Sequence, residues 1–209
     1  MTASPFRTAL TLSALALLAA CGGSGVPLAN APVPTRPAER LSLAEIQRIQ
    51  TDIKPFYDAA AITPKSQVPV TGGATYRGYV QGDMTVPGRS TDVAGVMEMG
   101  VNFGTNRVGG TVGNLVTSQG APIDGVLTLQ NGQLNRTLNR SQVTIQSDVG
   151  GRLRTSAGET VTVDGSVTRG GFKGSRGQFA GVPMSGSIVV EDRGRTQSGS
   201  FALDGILAR

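Results

Sequence analysis

Histidine and tryptophan are absent from the 209 residues, and cysteine occurs once, at Cys21. Without an imidazole, no Ser–His–Asp or Cys–His catalytic arrangement can be assembled from this chain. One cysteine cannot close an intrachain disulfide, and without histidine or further thiols a zinc site lacks its usual donors. Aromatic residues make up 4% of the chain. That is too few for the aromatic girdles of a membrane-spanning barrel or for platforms that stack on bases. No apolar run reaches the roughly 20 residues of a transmembrane helix. Long runs of one charge are also missing: Glu191-Asp192, for instance, stands just ahead of Arg195. Such interspersed signs read as a solvated surface and argue against a nucleic-acid footprint.

What is present starts around the lone cysteine, in the stretch LALLAACGGSG from Leu15 to Gly25. Arg7 is the only charge in the first twenty residues. The run Ala9–Leu18 is apolar except for Thr11 and Ser13, and the small residues Ala19 and Ala20 follow. A basic start, a short apolar core and small residues at a cut site predict a secretory signal peptide over residues 1–20. Leu18-Ala19-Ala20-Cys21 resembles the lipobox of bacterial lipoproteins. That resemblance implies cleavage before Cys21, diacylglycerol on its sulfur and acylation of its new amino group. A buried structural cysteine is the competing reading. Several acyl chains on one residue give stable attachment where one would be marginal. Gly22 stands where the family's inner-membrane retention signal has aspartate, which implies the outer membrane, at its periplasmic face or at the cell surface.

Residues 21–40 read as a lipidated flexible tether, since GGSGVPLANAPVPTRP (22–37) is too small, polar and proline-rich to bury a core. Residues 41–71 read as a short helix and a linker. Ser42 and Glu45 form an S-x-x-E capping box, Leu41 and Ile46 are spaced as a hydrophobic staple, and Ile46, Ile49 and Ile53 make one apolar stripe. Pro55 is expected to stop this helix. Beyond it the composition changes: of the 30 glycines, none lies between 26 and 71 and 27 lie in 72–209.

Alternation with a period of two accompanies those glycines. Met97, Met99, Val101 and Phe103 share one face, and the sets Ile123/Gly125/Leu127/Leu129, Val161/Val163/Gly165/Val167 and Phe201/Leu203/Gly205/Leu207 repeat the pattern. Eight strands are predicted near 73–81, 94–104, 107–116, 123–130, 141–148, 160–170, 174–190 and 198–208. Turns are expected at Asn131-Gly132, Gly150-Gly151, Ala157-Gly158 and Arg193-Gly194. Short connections make neighbours antiparallel. The fold class is therefore all-β: a small, soluble, eight-stranded up-and-down barrel preceded by one short amphipathic helix. An open sandwich is the competing arrangement. Gly125, Gly165 and Gly205, on apolar faces, are expected to leave room for large side chains inside the barrel.

The stretches GGATYRGYVQGDM (72–84), VAGVMEMGVNFGTNRVGGTVGN (93–114) and SGSFALDGILAR (198–209) resemble the β-barrel domain of transferrin-binding protein B. The G-x-A-x-Y-x-G motif of that family falls on Gly72, Ala74, Tyr76 and Gly78. Its strand ending and following turn fall on Val101–Phe103, then Val108, Gly110 and Val112. The resemblance covers residues 72–209 and implies a barrel domain in a Gram-negative surface lipoprotein. These are packing positions, so no ligand-binding residue is carried over.

Other motifs yield no chemistry. Gly170–Gly177 (GGFKGSRG) has neither the spacing nor the following helix of a P-loop, and reads as a bulged strand. Glu191 and Asp192 are adjacent on a strand and point to opposite faces, so they cannot act as paired acids. Asn135-Arg136-Thr137 and Asn139-Arg140-Ser141 match glycosylation sequons but mean little in a bacterial lipoprotein. Met97 and Met99 read as core fillers. Tyr57, Tyr76 and Tyr79 are the only tyrosines. Tyr76 is expected to face inward and Tyr79 to be exposed, which leaves Tyr57 and Tyr79 as a thin basis for holding haem. The expectation is of no metal, no cofactor, no nucleic-acid partner and no catalysis. A monomeric binding module for a protein or solute is expected, attached to the membrane through lipid on Cys21. The alternative is a structural envelope lipoprotein with no soluble ligand.

Overall fold

The computed structural model describes residues 40–209. The segments expected as signal peptide (1–20) and tether (21–40), including Cys21, lie outside the described residues except for Arg40.

Eight strands form one closed barrel: β1 (Gly73–Val86), β2 (Arg89–Asn102), β3 (Arg107–Thr117), β4 (Pro122–Asn135), β5 (Thr144–Thr155), β6 (Thr160–Lys173), β7 (Phe179–Asp192) and β8 (Arg195–Ala208). Every neighbouring pair is antiparallel. β8 closes on β1 from Arg77 opposite Ala208 to Thr85 opposite Ser200. The alternation seen in the sequence is the alternation of the wall. Met97, Met99, Val101 and Phe103 point into one continuous core with Val163, Val167, Leu203 and Leu207. Residues between them, such as Glu98 and Asp164, face outward and are exposed. Apolar inside and polar outside is the reverse of a lipid-facing barrel. The wall is built to face water.

Most strands run longer than the sequence suggests, but β7 is shorter than the expected 174–190, because 174–177 is the β6–β7 turn and not a bulged strand. Two expected turns are not turns. Asn131-Gly132 lies within β4, where Asn131 takes φ 53° at a bulge between Gln130 and Gln133. Gly150-Gly151 lies within β5, paired with Thr128 and Leu127. A Cβ on Gly151 would sit 2.4 Å from the Val126 carbonyl oxygen, so Gly151 allows close strand approach and the pair does not reverse the chain. The hairpin between β1 and β2 is made instead by Pro87-Gly88, with Gly88 at φ 78°. The turns at Ala157-Gly158 and Arg193-Gly194 are as expected, with Gly158 at φ 90° and Arg193 and Gly194 at φ 46° and 80°.

The wall glycines do make room for large side chains. A Cβ on Gly165 would lie 2.7 Å from the Phe201 ring, and one on Gly205 would lie 3.0 Å from the Met97 sulfur. Gly125 differs. Its φ of 113° sets it aside from the regular alternation, at an irregularity in the β3–β4 register.

Helix α1 (Leu43–Ala59) starts at the Ser42–Glu45 capping box, with both reciprocal hydrogen bonds made. It does not stop at Pro55, which lies inside it. A proline removes one backbone hydrogen bond, but here the final turn has other support. Lys173 donates to the Tyr57 carbonyl at 2.8 Å, the Tyr57 ring meets Phe179 edge-on at 6.3 Å, and the Ala60 N–H caps the Phe56 carbonyl. Two of the three stripe residues pack on the outside of the barrel, where Ile46 is buried with Tyr79 and Val116 and Leu41, Leu43 and Ile49 lean against them; Ile53 stands outside this cluster.

Candidate functional site

An up-and-down barrel sends alternate connections to opposite ends. One end receives the segment 60–72 and the connections β2–β3, β4–β5 and β6–β7. The other receives the four hairpins β1–β2, β3–β4, β5–β6 and β7–β8.

The first end is closed by rings. Phe172 stands 5.8 Å from Tyr76 and 6.1 Å from Phe103, and all three are buried. The Tyr76 hydroxyl donates to the Gly177 carbonyl at 2.7 Å, holding the β6–β7 loop down over the plug. Burial pushes the Tyr76 phenol up to about 12, against a smaller opposing pull from Arg209. The segment after α1 straps across this end. Thr63 N–H bonds the Phe172 carbonyl, Thr63 Oγ1 the Gly174 carbonyl and Lys65 N–H the Ser141 carbonyl.

Loop geometry at the closed end comes from asparagines. Asn135 Oδ1 accepts from the N–H groups of Thr137 and Leu138, and Asn139 Oδ1 accepts from Ser141 N–H and Oγ. The two sequon-like tripeptides are thus successive Asx turns, which shape the β4–β5 loop. Arg136 reaches back from that loop to Asn106 Oδ1 at 2.9 Å and to the Pro69 carbonyl at 2.5 Å, tying three connections together.

The connections at this end carry charge of one sign, with Asp58 on the last turn of α1 the acidic side chain beside them. Segments 60–72, 103–107, 136–143 and 173–178 contain Lys65, Arg107, Arg136, Arg140, Lys173 and Arg176, and no aspartate or glutamate. The interspersed charge of the linear sequence persists on the wall, as in the exposed pairs Arg77–Glu98 and Arg152–Glu191, but not in these connections. Cations far apart in the chain meet at one end. Five large apolar side chains are exposed among the described residues, and Ile62, Val70 and Leu138 belong to these segments. Phe56 lies on the last turn of α1, and only Val126 is on the opposite half of the wall.

The second end is a mouth. Inside it is a cavity of about 190 Å³ with a floor that includes Met84, Val93, Val161, Ile188 and Val190 and a rim of Thr91, Thr117 and Thr155. Arg89 and Glu159 also line it and form an ion pair at 2.8 Å. Thr155 Oγ1 holds Glu159 further, donating to Oε2 at 3.2 Å.

The tyrosines are placed differently from expectation in one case. Tyr76 faces inward as predicted. Tyr79 is on the outer face, but α1 covers it and only 1% of it is exposed. Burial pushes its phenol up to about 12, with Asp58 adding to the effect, and its hydroxyl has no hydrogen-bond partner among the described residues. Tyr57 is half-buried, its phenol also raised by burial, with the Lys173 ammonium 4.4 Å above its ring. A sealed phenol and one crowded by an ammonium are poor ligands for iron. Among the described residues no group of three or more His, Cys, Asp or Glu could hold a metal ion. No helix among them is long and apolar enough to cross a membrane.

Fold and site together define a small water-facing antiparallel barrel with a strapped basic end and an apolar mouth. No protein-family model and no curated protein matches the chain. Among solved structures it is similar to two crystal structures of the vaccine antigen transferrin-binding protein B from Haemophilus parasuis. One, a double mutant, shows 15% identity and a TM-score of 0.41 over 71% of this chain and 28% of that one. The other, a single tryptophan-to-alanine mutant, shows 18% identity and a TM-score of 0.42 over 71% and 29%. The chain spans under a third of the length of either. Both are members of the family whose barrel the sequence motifs resemble.

Proposed function

We propose that the mature protein is a monomeric outer-membrane lipoprotein, anchored through Cys21, whose barrel is a binding module for an acidic protein surface. The observation that carries this reading is the closed end: six cations, no acidic side chain in the segments that build it, and Ile62, Val70 and Leu138 exposed among them. Apolar anchors gain affinity when a partner desolvates them, while surrounding charge steers encounter and rejects wrong partners. The rings of Tyr76, Phe103 and Phe172 at this end are buried, so they offer no platform for bases. An acidic protein surface is therefore favoured over nucleic acid. Without histidine this end has no side chain that exchanges protons near neutrality in its ordinary state, which favours binding over catalysis. Arg40, where the described chain starts, pairs with Asp124 near the mouth-end start of β4. That pairing supports a reading in which the anchor side is the mouth side and the basic end points away from it.

The test is site-specific photo-crosslinking in intact cells from positions 70 and 138, with position 126 on the wall as control. A discrete protein adduct from positions 70 and 138, lost when Arg107 and Arg140 are changed to glutamate, is expected. Equal adducts from position 126, or none from any position, would instead support the structural lipoprotein without a soluble ligand.

A further inference from the structure

At the end of the barrel away from the basic surface, we propose a second binding site: the mouth takes the hydrocarbon part of a small uncharged amphiphile beneath an Arg89–Glu159 latch. This rests on the mouth alone and stands or falls separately from the reading of the closed end.

The first observation is shape and lining. Inward positions of an eight-stranded barrel can just fill its interior, or leave room for one small ligand. Here the closed half is filled by Tyr76, Phe103, Phe172, Met97 and Met99. In the mouth half, Val93, Val161, Ile188 and Val190 line the interior beside Met84, and about 190 Å³ stays unfilled. An apolar cavity of about 150 Å³ is enough to stay dry and bind benzene. Water gains little against such a floor, because it needs two or more polar partners that methyl groups do not provide. A hydrocarbon ring or chain would restore the dispersion contacts that the lining lacks.

The second observation is the charge at the rim. Arg89 comes from the β1–β2 hairpin and Glu159 from the β5–β6 hairpin, which are half a barrel apart in strand order. Their 2.8 Å ion pair therefore spans the opening. Of the residues lining the cavity, these two are the only charged ones, and they neutralise each other. An uncharged head group can sit beside them and use the hydroxyls of Thr91 and Thr117, since that of Thr155 is held by Glu159. A carboxylate or an ammonium head would have to break the pair or face a like charge. Glu159 is fixed by Thr155 and its side chain is 13% exposed, whereas the Arg89 side chain is 50% exposed. Arg89 is thus the half of the latch that can swing out.

The test uses the mature protein, with n-octanol as probe followed by methyl NMR. Shifts are expected to saturate at Met84, Val93, Val161 and Ile188, and to be absent at Met99 and Val101 near the plug. Octanoate and octylamine should bind more weakly than n-octanol. Filling the floor with Val190→Phe should weaken n-octanol about tenfold or more, the scale of a steric change in a hydrophobic pocket. Thr91→Phe at the more exposed rim does the same if the floor variant does not fold. Arg89→Ala should speed both association and dissociation about two- to fivefold, the scale of an exposed ion pair, while leaving Kd less changed. Binding of dioctanoylglycerol as well would place the hydrocarbon on a lipid; binding of n-octanol alone would place it on a free single-chain molecule. Unsaturable shifts, shifts spread over both ends, preference for a charged head, or filled variants that bind as well as the parent would overturn the proposal.

Discussion

Tyr79 shows how a single residue can be read correctly for face and wrongly for environment. Strand alternation places it opposite Tyr76, on the outside, yet α1 buries it with an unpartnered hydroxyl. A buried hydroxyl without a hydrogen bond is a net cost. Tyr79→Phe should therefore leave the fold intact and raise stability by up to about 1–2 kcal/mol, read from urea unfolding. A loss above that scale would mean that the hydroxyl has a partner in solution. The same burial sets the alkaline limit. Tyr76 and Tyr79 hold their protons to about 12 in the folded state against an ordinary value of 10.0. The unfolded chain thus releases protons first as pH rises above 10, so stability is complete below pH 10 and falls between 10 and 12. Absorbance of the phenolate should show these two tyrosines ionising only with unfolding or near pH 12, and ordinary titration near pH 10 would contradict their burial.

At the scale of elements, α1 and its strap behave as part of the barrel. The capping box, the staple and the isoleucine stripe were legible because each depends on residues within a turn or two. Continuation through Pro55 was not, because Lys173 and Phe179, which support the last turn, lie more than a hundred residues away. Ile46 is the helix residue buried against the wall. Ile46→Ala should lower stability by about 2–4 kcal/mol, the usual range for truncating a buried isoleucine. It should also bring the titration of Tyr79 back toward 10 by loosening its cover. An unchanged unfolding midpoint together with an unchanged Tyr79 titration would mean that α1 does not dock. The asparagine turns of the β4–β5 loop are a second such case. Their tripeptides were visible, but their role depends on hydrogen bonds that only the folded loop defines.

For the whole molecule, the two ends of the barrel carry different chemistry. Cys21 lies outside the described residues, more than fifty residues ahead of β1. Cys21→Ser should leave urea unfolding of the barrel unchanged, abolish labelling by palmitate and leave the signal sequence uncleaved. Palmitate labelling equal to that of the parent chain would exclude Cys21 as the anchor. Loss of labelling with an intact barrel would locate the membrane attachment entirely outside the fold.

The sequence by itself determined the strand number, the inward and outward faces of the wall and the helix start. Each of these follows from neighbours along the chain: a period of two, and a capping pair three residues apart. The tertiary structure alone decided the rest. Closure of an up-and-down barrel sends every second connection to the same end, so Lys65, Arg107, Arg140 and Arg176 become one surface although the chain keeps them apart. It also brings Arg89 within 2.8 Å of Glu159 across the mouth, 70 residues away in sequence. Charge and closure act through space, and spacing along the chain carries no record of which loops will meet.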